Sequence, residues 1–322
     1  MPLMKEKRIT LGGVELAVAM DAARADRLRS SLPYRRVVRP ALDWLTAHPP
    51  SRNGHARNGH ARTAESGAGR AEAPPDTPAA RDLRRRVAEL EWYHTIELPH
   101  GVVTPGYVDH RGQVPLYGLP ADMRGMRALD VATYDGFWAF EMERRGAEVT
   151  AIDLESLEQC DYPRRFRSHA RTGDEVRKTG AAFQLAHEVL GSRVERRILS
   201  VYELAPEKVG TFDVVFLSDL LLHLRDPALA IENVASVTKP TGCAIVAEPY
   251  NEELDRFRDV PLSQFGFEQA VGWWQPSTKT LKTMMWAAGF DRIDEVSRFR
   301  LNCKAAIPLV KVVLKGSQGR TD

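Results

Sequence analysis

One stretch of the sequence combines an apolar strand, a tight turn and acidic residues in a way that suits ligand binding. Residues 128–137 read Ala-Leu-Asp-Val-Ala-Thr-Tyr-Asp-Gly-Phe, so a strand ends in a turn and a helix follows at once. The next predicted strand ends at Asp153, 17 positions after Gly136. In folds that alternate strands with helices, such turns lie at the edge of the sheet where ligands bind. A carboxylate at position 153 can accept hydrogen bonds from both hydroxyls of a ribose.

Two histidines could act on a ligand at this edge. His223 follows the fourth predicted strand, and His94 lies in residues 92–101, a segment rich in aromatic and ionisable groups. Imidazole titrates near neutral pH, so it suits the removal of a proton from a hydroxyl group. The alternative for each histidine is a structural role in which the ring only bonds a backbone carbonyl. The sequence leaves both roles open.

The turn distinguishes two classes of nucleotide ligand. A dinucleotide site requires the pattern Gly-x-Gly-x-x-Gly, because the pyrophosphate lies close to the backbone. This chain has Ala132, Tyr134 and Gly136 at the three positions, and the side chain of Tyr134 would crowd a pyrophosphate. The turn also lacks a P-loop lysine. The sequence therefore favours an adenosyl ligand without phosphate over a nicotinamide dinucleotide.

Several blocks of the sequence resemble the class I S-adenosylmethionine-dependent methyltransferases. They are residues 129–136 (LDVATYDG), Asp153, residues 212–219 (FDVVFLSD), residues 222–227 (LHLRDP) and residues 287–290 (AAGF). The resemblance implies S-adenosylmethionine as the cofactor. By position, it implies cofactor contacts at Asp130, Ala132, Thr133, Tyr134, Gly136, Asp153, Leu154, Val201, Tyr202, Ser218 and Asp219.

The resemblance also implies which part of the cofactor some of these residues bind. Asp153 would bind the ribose, and Leu154 would lie beside the adenine. Ser218 and Asp219 would lie under the transferring methyl group. The loop that carries His223 would then lie over the reacting centre.

A narrower resemblance concerns the tRNA wobble-uridine carboxymethyltransferase-like family. It rests on residues 272–277 (GWWQPS), on Trp92 and on the Gly-x-x-Thr-Pro-Gly motif at residues 101–106. That family uses a carboxylated cofactor and has a tyrosine just before the histidine of the fourth-strand loop. Leu222 stands at that position here. The difference favours ordinary methyl transfer to a small molecule over carboxymethyl transfer to tRNA.

Aromatic and basic residues near these blocks are candidates for the substrate site. They are Trp92, Tyr107, Arg111, Trp273 and Trp274. The aromatic side chains could wall a pocket, and Arg111 could pair with the cofactor carboxylate. The alternative is that the aromatic residues fill the core, which they do in many proteins.

Strands and helices alternate along the chain from residue 126. Apolar runs predict strands at residues 127–131, 148–152, 194–201, 212–217, 243–247, 290–296 and 306–314. Helical patterns occupy residues 81–91, 137–145, 179–190, 228–237 and 278–288. The alternation predicts an α/β fold. We expect a Rossmann-like, doubly wound, mostly parallel sheet of seven strands, with an N-terminal helical or irregular extension.

Composition divides the chain into four predicted segments. Residues 1–49 form an N-terminal extension, in which residues 9–18 could form a strand pair. Residues 50–80 contain the tandem repeat Arg-Asn-Gly-His-Ala and many Ala, Gly and Pro residues, which predicts a flexible linker. Residues 81–125 are expected to cap the substrate site as a lid. Residues 126–322 form the predicted S-adenosylmethionine-binding domain.

Charge and cysteine content disfavour several other classes of protein. The 45 basic and 43 acidic residues give a formal charge of +2, which makes a nucleic-acid partner less favoured. Cys160, Cys243 and Cys303 lie far apart and match neither a metal site nor a disulfide framework, so no metal is expected. No apolar run reaches the length of a membrane span, and no signal peptide is recognised. We therefore expect a cytoplasmic protein without membrane partners.

The leading hypothesis is an S-adenosylmethionine-dependent methyltransferase. It would act on an oxygen or nitrogen atom of a small molecule, such as a secondary metabolite or a sugar. Two alternatives stay open: modification of tRNA, and a non-catalytic module that only binds the cofactor. The sequence predicts no oligomeric state.

Overall fold

The structure, a computed structural model, describes residues 5–11, 14–20, 77–172, 175–266, 272–301, 303–304 and 309–319. The chain divides into two units, Met1–Ala71 and Glu72–Asp322. In the first unit the described residues form an antiparallel hairpin of β1 (Lys5–Leu11) and β2 (Val14–Met20). This hairpin agrees with the predicted strand pair at residues 9–18. Residues 50–76 of the predicted linker lie outside the described residues.

The second unit contains the α-helices that the structure describes and the remaining strands. The strands are β3 (Glu97–Leu98), β4 (Val102–Val103), β5 (Arg127–Val131), β6 (Glu148–Asp153), β7 (Arg171–Thr172), β8 (Glu175–Val176), β9 (Glu195–Ile198), β10 (Phe212–Ser218), β11 (Thr238–Pro249), β12 (Ser263–Phe265), β13 (Trp274–Pro276), β14 (Arg292–Leu301) and β15 (Leu309–Ser317). The helices are α1 (Pro78–Ala88), α2 (Phe137–Arg144), α3 (Ala181–Leu190), α4 (Pro206–Val209), α5 (Pro227–Val237) and α6 (Thr278–Ala287). Within the described ranges, no helix combines the length and the apolar composition needed to cross a membrane.

Seven strands form one sheet in the order β14-β15-β11-β10-β5-β6-β9. The strands from β11 to β9 in this order are parallel, whereas β15 is antiparallel to both of its neighbours. The chain runs outward from β5 to β6 and β9 and then returns to β10 on the other side of β5. The strand order therefore reverses between β5 and β10, and ligands bind beside the carboxyl ends of strands at such a point. The predicted seven-stranded, doubly wound α/β fold is confirmed.

Side chains from β10 pack into both faces of the sheet, which explains why this strand is apolar at successive positions. Phe216 belongs to the same buried cluster as Trp138 of α2. Val215 and Leu217 belong to a second cluster, together with Ile231 of α5. Phe216 has no exposed surface, and full burial of such a side chain contributes roughly 1.5–3 kcal/mol.

Local hydrogen bonds move several element boundaries away from the predicted ones. Helix α1 begins at Pro78, because Thr77 Oγ1 accepts a hydrogen bond from the amide of Ala80 at 3.1 Å and proline suits the first helical position. Three residues that were assigned to the linker are therefore helical. Strand β9 is shorter than predicted, because Ser200 Oγ accepts a hydrogen bond from the amide of Tyr202 and begins a turn at residues 201–203.

The segment at residues 81–125 packs on one face of the sheet. Leu83 of α1 and Ile96 belong to the same buried cluster as Trp138. Thr104 holds the middle of the segment, because its Oγ1 accepts from the amide of Ile96 and donates to the carbonyl of His94, both at 2.8 Å. The backbone of His94 is thus fixed within this segment. The domain boundary at residue 126 stays a prediction.

Candidate active site

The turn after β5 adopts a tight conformation although two of its positions lack glycine. Ala132 and Tyr134 have φ angles of 61° and 51°, in the left-handed region that glycine adopts most readily. The amide of Thr133 donates to the carbonyl of Ile152 at 3.1 Å, and the amide of Tyr134 donates to Asp153 Oδ2 at 2.8 Å. These bonds hold a conformation that costs a non-glycine residue roughly 1–3 kcal/mol, and such positions cluster at functional sites.

Gly136 is required where the turn passes into α2. Its φ is 92°, and a Cβ atom there would lie 2.5 Å from the ring of Phe140 and 2.7 Å from the ring of Phe183. Both rings are buried. Another residue would therefore displace the helix from the sheet.

Asp153 lies at the end of β6, beside this turn. Besides the bond from Tyr134, its Oδ1 accepts a hydrogen bond from the amide of Leu154 at 2.7 Å. Burial raises the pKa of the Asp153 carboxyl above its ordinary value. Each carboxylate oxygen has a second lone pair, so Asp153 can still accept hydrogen bonds from a ligand hydroxyl.

A cavity of about 340 Å³ opens where β5, β6 and β10 end. This volume falls within the range of small-molecule sites, about 300–1,000 Å³. The predicted site residues that the structure brings together here are His94, Asp130, Ala132, Tyr134, Asp153, Leu154, Val201, Tyr202, Ser218, Asp219 and His223. Thr133 and Gly136 belong to the same turn but do not line the cavity.

The charged side chains of the cavity lining are acidic. The described residues of this lining include Asp130, Asp153, Asp161 and Asp219, and they include neither lysine nor arginine. Burial raises the pKa of Asp130 to about 7, and within the described part of the chain its Oδ2 has no hydrogen-bond partner. The cavity therefore suits a neutral or cationic ligand better than an anionic one.

His94 and Asp135 form a buried pair at the wall of this cavity. Nδ1 of His94 is hydrogen-bonded to Oδ1 of Asp135, whose side chain has no exposed surface. Oδ2 of Asp135 accepts hydrogen bonds from the amides of Tyr93 and His94, at 2.9 and 2.7 Å. An ionised carboxylate only accepts, so we assign the proton to Nδ1, which leaves Nε2 as an acceptor. In this arrangement His94 can accept a proton at Nε2.

Asp135 is a functional candidate that the sequence analysis missed. It is 41 positions from His94, so the fold and not a local pattern brings the two together. The available signal was its place between Tyr134 and Gly136 in the ligand-binding turn. The resemblance assigned roles to both of these neighbours and none to Asp135.

His223 reaches the same cavity from the turn Leu221–His223, which follows β10. Its amide donates to the carbonyl of Leu220 at 2.9 Å, and the residue is exposed. His94, by contrast, is only 5% exposed. The buried Asp135 carboxylate beside His94 fixes the orientation of its ring.

Asp161 closes the cavity wall beside the predicted adenine site. Its Oδ2 accepts hydrogen bonds from the hydroxyl of Tyr202 at 2.5 Å and from the amide of Arg225 at 2.9 Å. Its carbonyl accepts a hydrogen bond from Trp273 Nε1 at 2.7 Å. Asp161 therefore connects the segment after β6 with the loop after β10. The sequence analysis did not identify it.

Two of the predicted substrate residues have other partners. Trp92 is buried in the core, where its Nε1 donates to the carbonyl of Val87 at 2.9 Å. Arg111 forms ion pairs with Asp109 and Glu97 near the surface, each at 2.7 Å. The structure brings neither residue to the cavity, because core packing engages the first and carboxylates engage the second.

The other three predicted substrate residues also lie outside the cavity lining. Tyr107 is exposed and stacks on Tyr93, with the ring centroids 6.1 Å apart. Trp273 supports the wall through its bond to Asp161, and Trp274 Nε1 donates to a carbonyl of the loop after β10 at 3.3 Å. Tyr107 and Trp273 therefore contact wall residues rather than form the wall, whereas Trp274 contacts Arg225, which does not line the cavity. In the described part of the chain, no group of three or more His, Cys, Asp or Glu residues could hold a metal ion.

Curated relatives match the central part of this chain. A ubiquinone biosynthesis O-methyltransferase of Xanthomonas euvesicatoria pv. vesicatoria (strain 85-10) is 34% identical over 121 residues, which are 38% of this chain and 42% of the relative. That of Xanthomonas axonopodis pv. citri (strain 306) is 35% identical over 118 residues, which are 37% of this chain and 41% of the relative. The match thus spans less than half the length of these relatives.

Solved structures of low sequence identity also match this chain. The N-terminal domain of EvdMO1, in the presence of S-adenosylhomocysteine (SAH) and D-fucose, has a TM-score of 0.49 and 19% identity, over 74% of this chain and 96% of that one. The magnesium protoporphyrin IX methyltransferase of Synechocystis PCC 6803, with bound SAH, has a TM-score of 0.41 and 16% identity, over 61% of this chain and 76% of that one.

A family profile covers most of the sheet and the cavity. The profile described as "Methyltransferase domain" matches residues 113–295, which is more than half of the chain. The matched range includes the turn after β5, Asp153, Asp219 and His223. The chain therefore belongs to the methyltransferase-domain family, and its predicted resemblance to the class I S-adenosylmethionine-dependent methyltransferases is confirmed.

Proposed function

We propose that this chain transfers the methyl group of S-adenosylmethionine to an oxygen or nitrogen atom of a small molecule, and that oxygen is the favoured acceptor. The observation that carries the proposal is the His94–Asp135 pair at the wall of a cavity built on the turn after β5. A hydroxyl group is a weak nucleophile until a base takes its proton. A buried and oriented imidazole supplies such a base.

The residues of the cavity fit S-adenosylmethionine. This cofactor carries a sulfonium, an ammonium and a carboxylate group, and its net positive charge suits a described lining whose charged side chains are aspartates. Asp153 would hold the ribose hydroxyls, while Leu154 and Tyr202 would flank the adenine. When bound, the cofactor supplies a methyl group attached to a positively charged sulfur, and this sulfur is the leaving group of an in-line displacement.

His94 is the residue that would take the proton. Its Nε2 accepts the proton of the acceptor hydroxyl, and the positive charge that forms on the ring lies beside the Asp135 carboxylate. The amides of Tyr93 and His94 hold that carboxylate in place. General bases of this kind contribute about 10²–10⁴-fold to a reaction rate.

The lining favours an uncharged acceptor that carries a ring. Tyr93, Trp138, Tyr162 and Tyr202 give the cavity aromatic walls. Such walls bind the apolar faces of rings, whereas acidic walls disfavour phosphate and carboxylate groups. The curated relatives are named as O-methyltransferases, which supports an oxygen acceptor. A secondary metabolite or a sugar-like molecule with a free hydroxyl group meets these requirements.

Modification of tRNA is supported less well. RNA binding depends on lysine and arginine at the phosphates. The additional carboxylate of a carboxylated cofactor also requires a cation near it. The described lining of the cavity offers neither residue type. Arg164 and Arg167 of the basic stretch at residues 164–171 are exposed, and neither lines the cavity. We therefore favour a small-molecule partner over a nucleic acid.

The organisation of the chain follows from the same proposal. Residues 81–125 act as a cap, because this segment supplies Tyr93 and His94 to the cavity. Residues 126–322 form the cofactor-binding domain. The three cysteines are free thiols, which is typical of a reducing compartment and supports a cytoplasmic location.

The proposal is tested by an acceptor screen with methyl-labelled S-adenosylmethionine. Phenols, catechols, sugars, amines and tRNA are compared, and products are identified by mass spectrometry. We expect an O-methylated small molecule, with a rate that falls about 100-fold or more in His94→Gln while SAH still binds. His187→Gln is the matched control, because His187 packs on Phe183 away from the cavity. Transfer to tRNA alone, or transfer that is unchanged in His94→Gln, would overturn the proposal.

A further inference from the structure

A buried lysine lies behind the end of the cavity that Ser218 and Asp219 line. Lys311 of β15 has no exposed surface, and its Nζ donates to Asp219 Oδ2 at 2.6 Å and to Ser218 Oγ at 2.9 Å. The ammonium group also lies 5.5 Å from the centroid of the Tyr117 ring, within reach of a cation–π interaction. No step of the proposed reaction uses this cation.

Stability alone is a weak reason for a lysine at this position. Desolvation of a buried ion pair often costs more than the attraction returns, and well-packed apolar residues of similar volume are frequently as good or better. Methionine has about the length of lysine and could fill the same space. The charge of Lys311 is therefore best explained by its effect on Asp219, which it contacts.

Asp219 is the contacted residue, and it belongs to the cavity. Its φ is 55°, in the left-handed region, and its side chain is 10% exposed. Its Oδ2 accepts the bonds from Lys311 and Ser218, while within the described residues Oδ1 is buried without a hydrogen-bond partner. Burial disfavours the charged form of a carboxyl group, so a carboxylate in this place depends on a nearby cation.

A second buried carboxyl group makes the Asp219 carboxylate depend still more on a nearby cation. Glu248 of β11 is 1% exposed, and its Oε1 accepts hydrogen bonds from the amides of Leu220 and Leu221 at 2.8 and 3.2 Å. Burial first, and the charge of Asp219 next, raise the pKa of Glu248 to about 8. Two carboxyl groups thus share one low-dielectric region, and Lys311 is the cation that offsets them.

Among the residues that the structure describes, the other titratable groups around Asp219 carry no permanent positive charge. They are Tyr93, His94, His110, Tyr117 and His223. Burial, and then the charge of Asp219, raise the pKa values of the two tyrosines above their ordinary value. Burial lowers the pKa of His110, and the charge of Lys311 lowers it further. Lys311 therefore has no substitute as the counter-charge among these groups.

We propose that Lys311 is a positioning residue of the methyl-transfer site: it keeps the Asp219 carboxylate ionised and in its left-handed conformation at the wall of the cofactor cavity. This inference rests on the proposed function, because it gives Lys311 a role at the cavity that would bind S-adenosylmethionine. Lys311 acts through Asp219 and does not touch the ligand.

The test is a titration of S-adenosylmethionine by calorimetry between pH 6 and pH 9. It compares the wild type, Lys311→Met, Asp219→Asn and the double variant. Without its cation, Asp219 takes up a proton as the pH falls, and the cationic cofactor loses a partner. We expect the affinity of Lys311→Met for S-adenosylmethionine to fall about tenfold more between pH 9 and pH 6 than the affinity of the wild type or of the double variant does.

Lys315→Met is the matched control, because Lys315 lies on the same strand and outside the cavity lining. It should keep the pH dependence of the wild type. An equal loss of affinity at every pH in Lys311→Met, or an additional pH step that persists in the double variant, would overturn the inference.

Two other outcomes are distinguishable from these. A wild-type chain that binds no S-adenosylmethionine contradicts the proposed function itself. If Lys311→Met does not fold, the double variant is compared with Asp219→Asn. The inference requires equal affinities for S-adenosylmethionine in these two proteins, because neither has a carboxylate at position 219 for Lys311 to hold. A further loss of affinity in the double variant would contradict the inference.

Discussion

The imidazole of His94 is hydrogen-bonded to the carboxylate of Asp135, and the two residues come from different parts of the fold. His94 belongs to the segment at residues 81–125 that we propose as a cap, whereas Asp135 belongs to the turn after β5. That turn also carries Ala132 and Tyr134, which line the cavity. The turn that would contact the cofactor therefore also orients the base, so one short segment sets the relative position of both.

Replacing Asp135 by asparagine should separate catalysis from cofactor binding. The side-chain amide introduced by Asp135→Asn could donate to the imidazole, which would favour the wrong tautomer of His94 and remove the charge that stabilises the imidazolium. We expect methyl transfer to fall about 100-fold or more, while the affinity for SAH changes less than about threefold. Rate assays and calorimetry measure the two effects.

Asp122→Asn is the control for this substitution, because Asp122 pairs with Arg124 on the surface. It should change neither quantity. A parallel loss of rate and of SAH affinity in Asp135→Asn would contradict the assignment, since it would mean that Asp135 only supports the turn.

The turn after β5 should tolerate glycine where its backbone is left-handed. Ala132 has a φ of 61°, a conformation that costs a residue with a Cβ atom roughly 1–2 kcal/mol. Glycine removes that cost but loses roughly 0.5–1 kcal/mol through greater freedom of the unfolded chain. We expect Ala132→Gly to leave the free energy of unfolding unchanged or to raise it by up to about 1.5 kcal/mol, as measured by chemical denaturation.

Ala128→Gly is the matched control for this prediction. Ala128 lies in the middle of the sheet on β5 and has no exposed surface, so its substitution should lower the free energy of unfolding by about 1 kcal/mol. An equal loss in both variants would mean that the left-handed conformation at Ala132 carries no cost.

The stabilising contribution of two buried carboxyl groups should decrease as the pH rises from acidic to mildly basic values. Burial raises the pKa of Glu248 from 4.5 to about 8 and that of Asp130 from 3.8 to about 7. A carboxyl group whose pKa is raised on folding stabilises the folded state below its unfolded pKa, and this contribution is lost as the pH rises through the folded pKa. For Glu248 the window runs from about pH 4.5 to about pH 8.

Glu248→Gln should flatten this dependence. Each such group contributes a slope of at most about 1.4 kcal/mol per pH unit, and glutamine removes the share of Glu248. Denaturation curves at several pH values measure it, with Glu253→Gln as the exposed control. An unchanged slope in Glu248→Gln would show that this carboxyl group is ionised in the folded protein across the whole range.

The sheet and the cofactor turn could be predicted because their signals are local. Apolar runs identify the strands that are buried on both faces, Gly136 marks the start of α2, and Asp153 marks the end of β6. The strand ends were predicted less well. The hydrogen bond between Ser200 and the amide of Tyr202 begins a turn that the apolar pattern of residues 194–201 does not reveal.

The partners of the site residues could not be predicted, because they come from distant parts of the chain. Asp135 meets His94 across 41 positions, and Lys311 meets Asp219 across 92. The contacts of Trp92 could not be predicted for a different reason, because aromatic content does not distinguish a pocket wall from the core. Aromatic content suggested that Trp92 would line a pocket, whereas packing buries it with its Nε1 on a backbone carbonyl.

Calorimetric titration with SAH tests the central claim most directly, because it needs no knowledge of the acceptor. The cavity should bind one equivalent, and Asp153→Ala should weaken binding by at least about tenfold through the lost hydrogen bonds to the ribose. Asp122→Ala should bind like the wild type. Saturable binding that depends on Asp153 is the predicted result, and an absence of binding, or binding that Asp153→Ala leaves unchanged, would contradict the account.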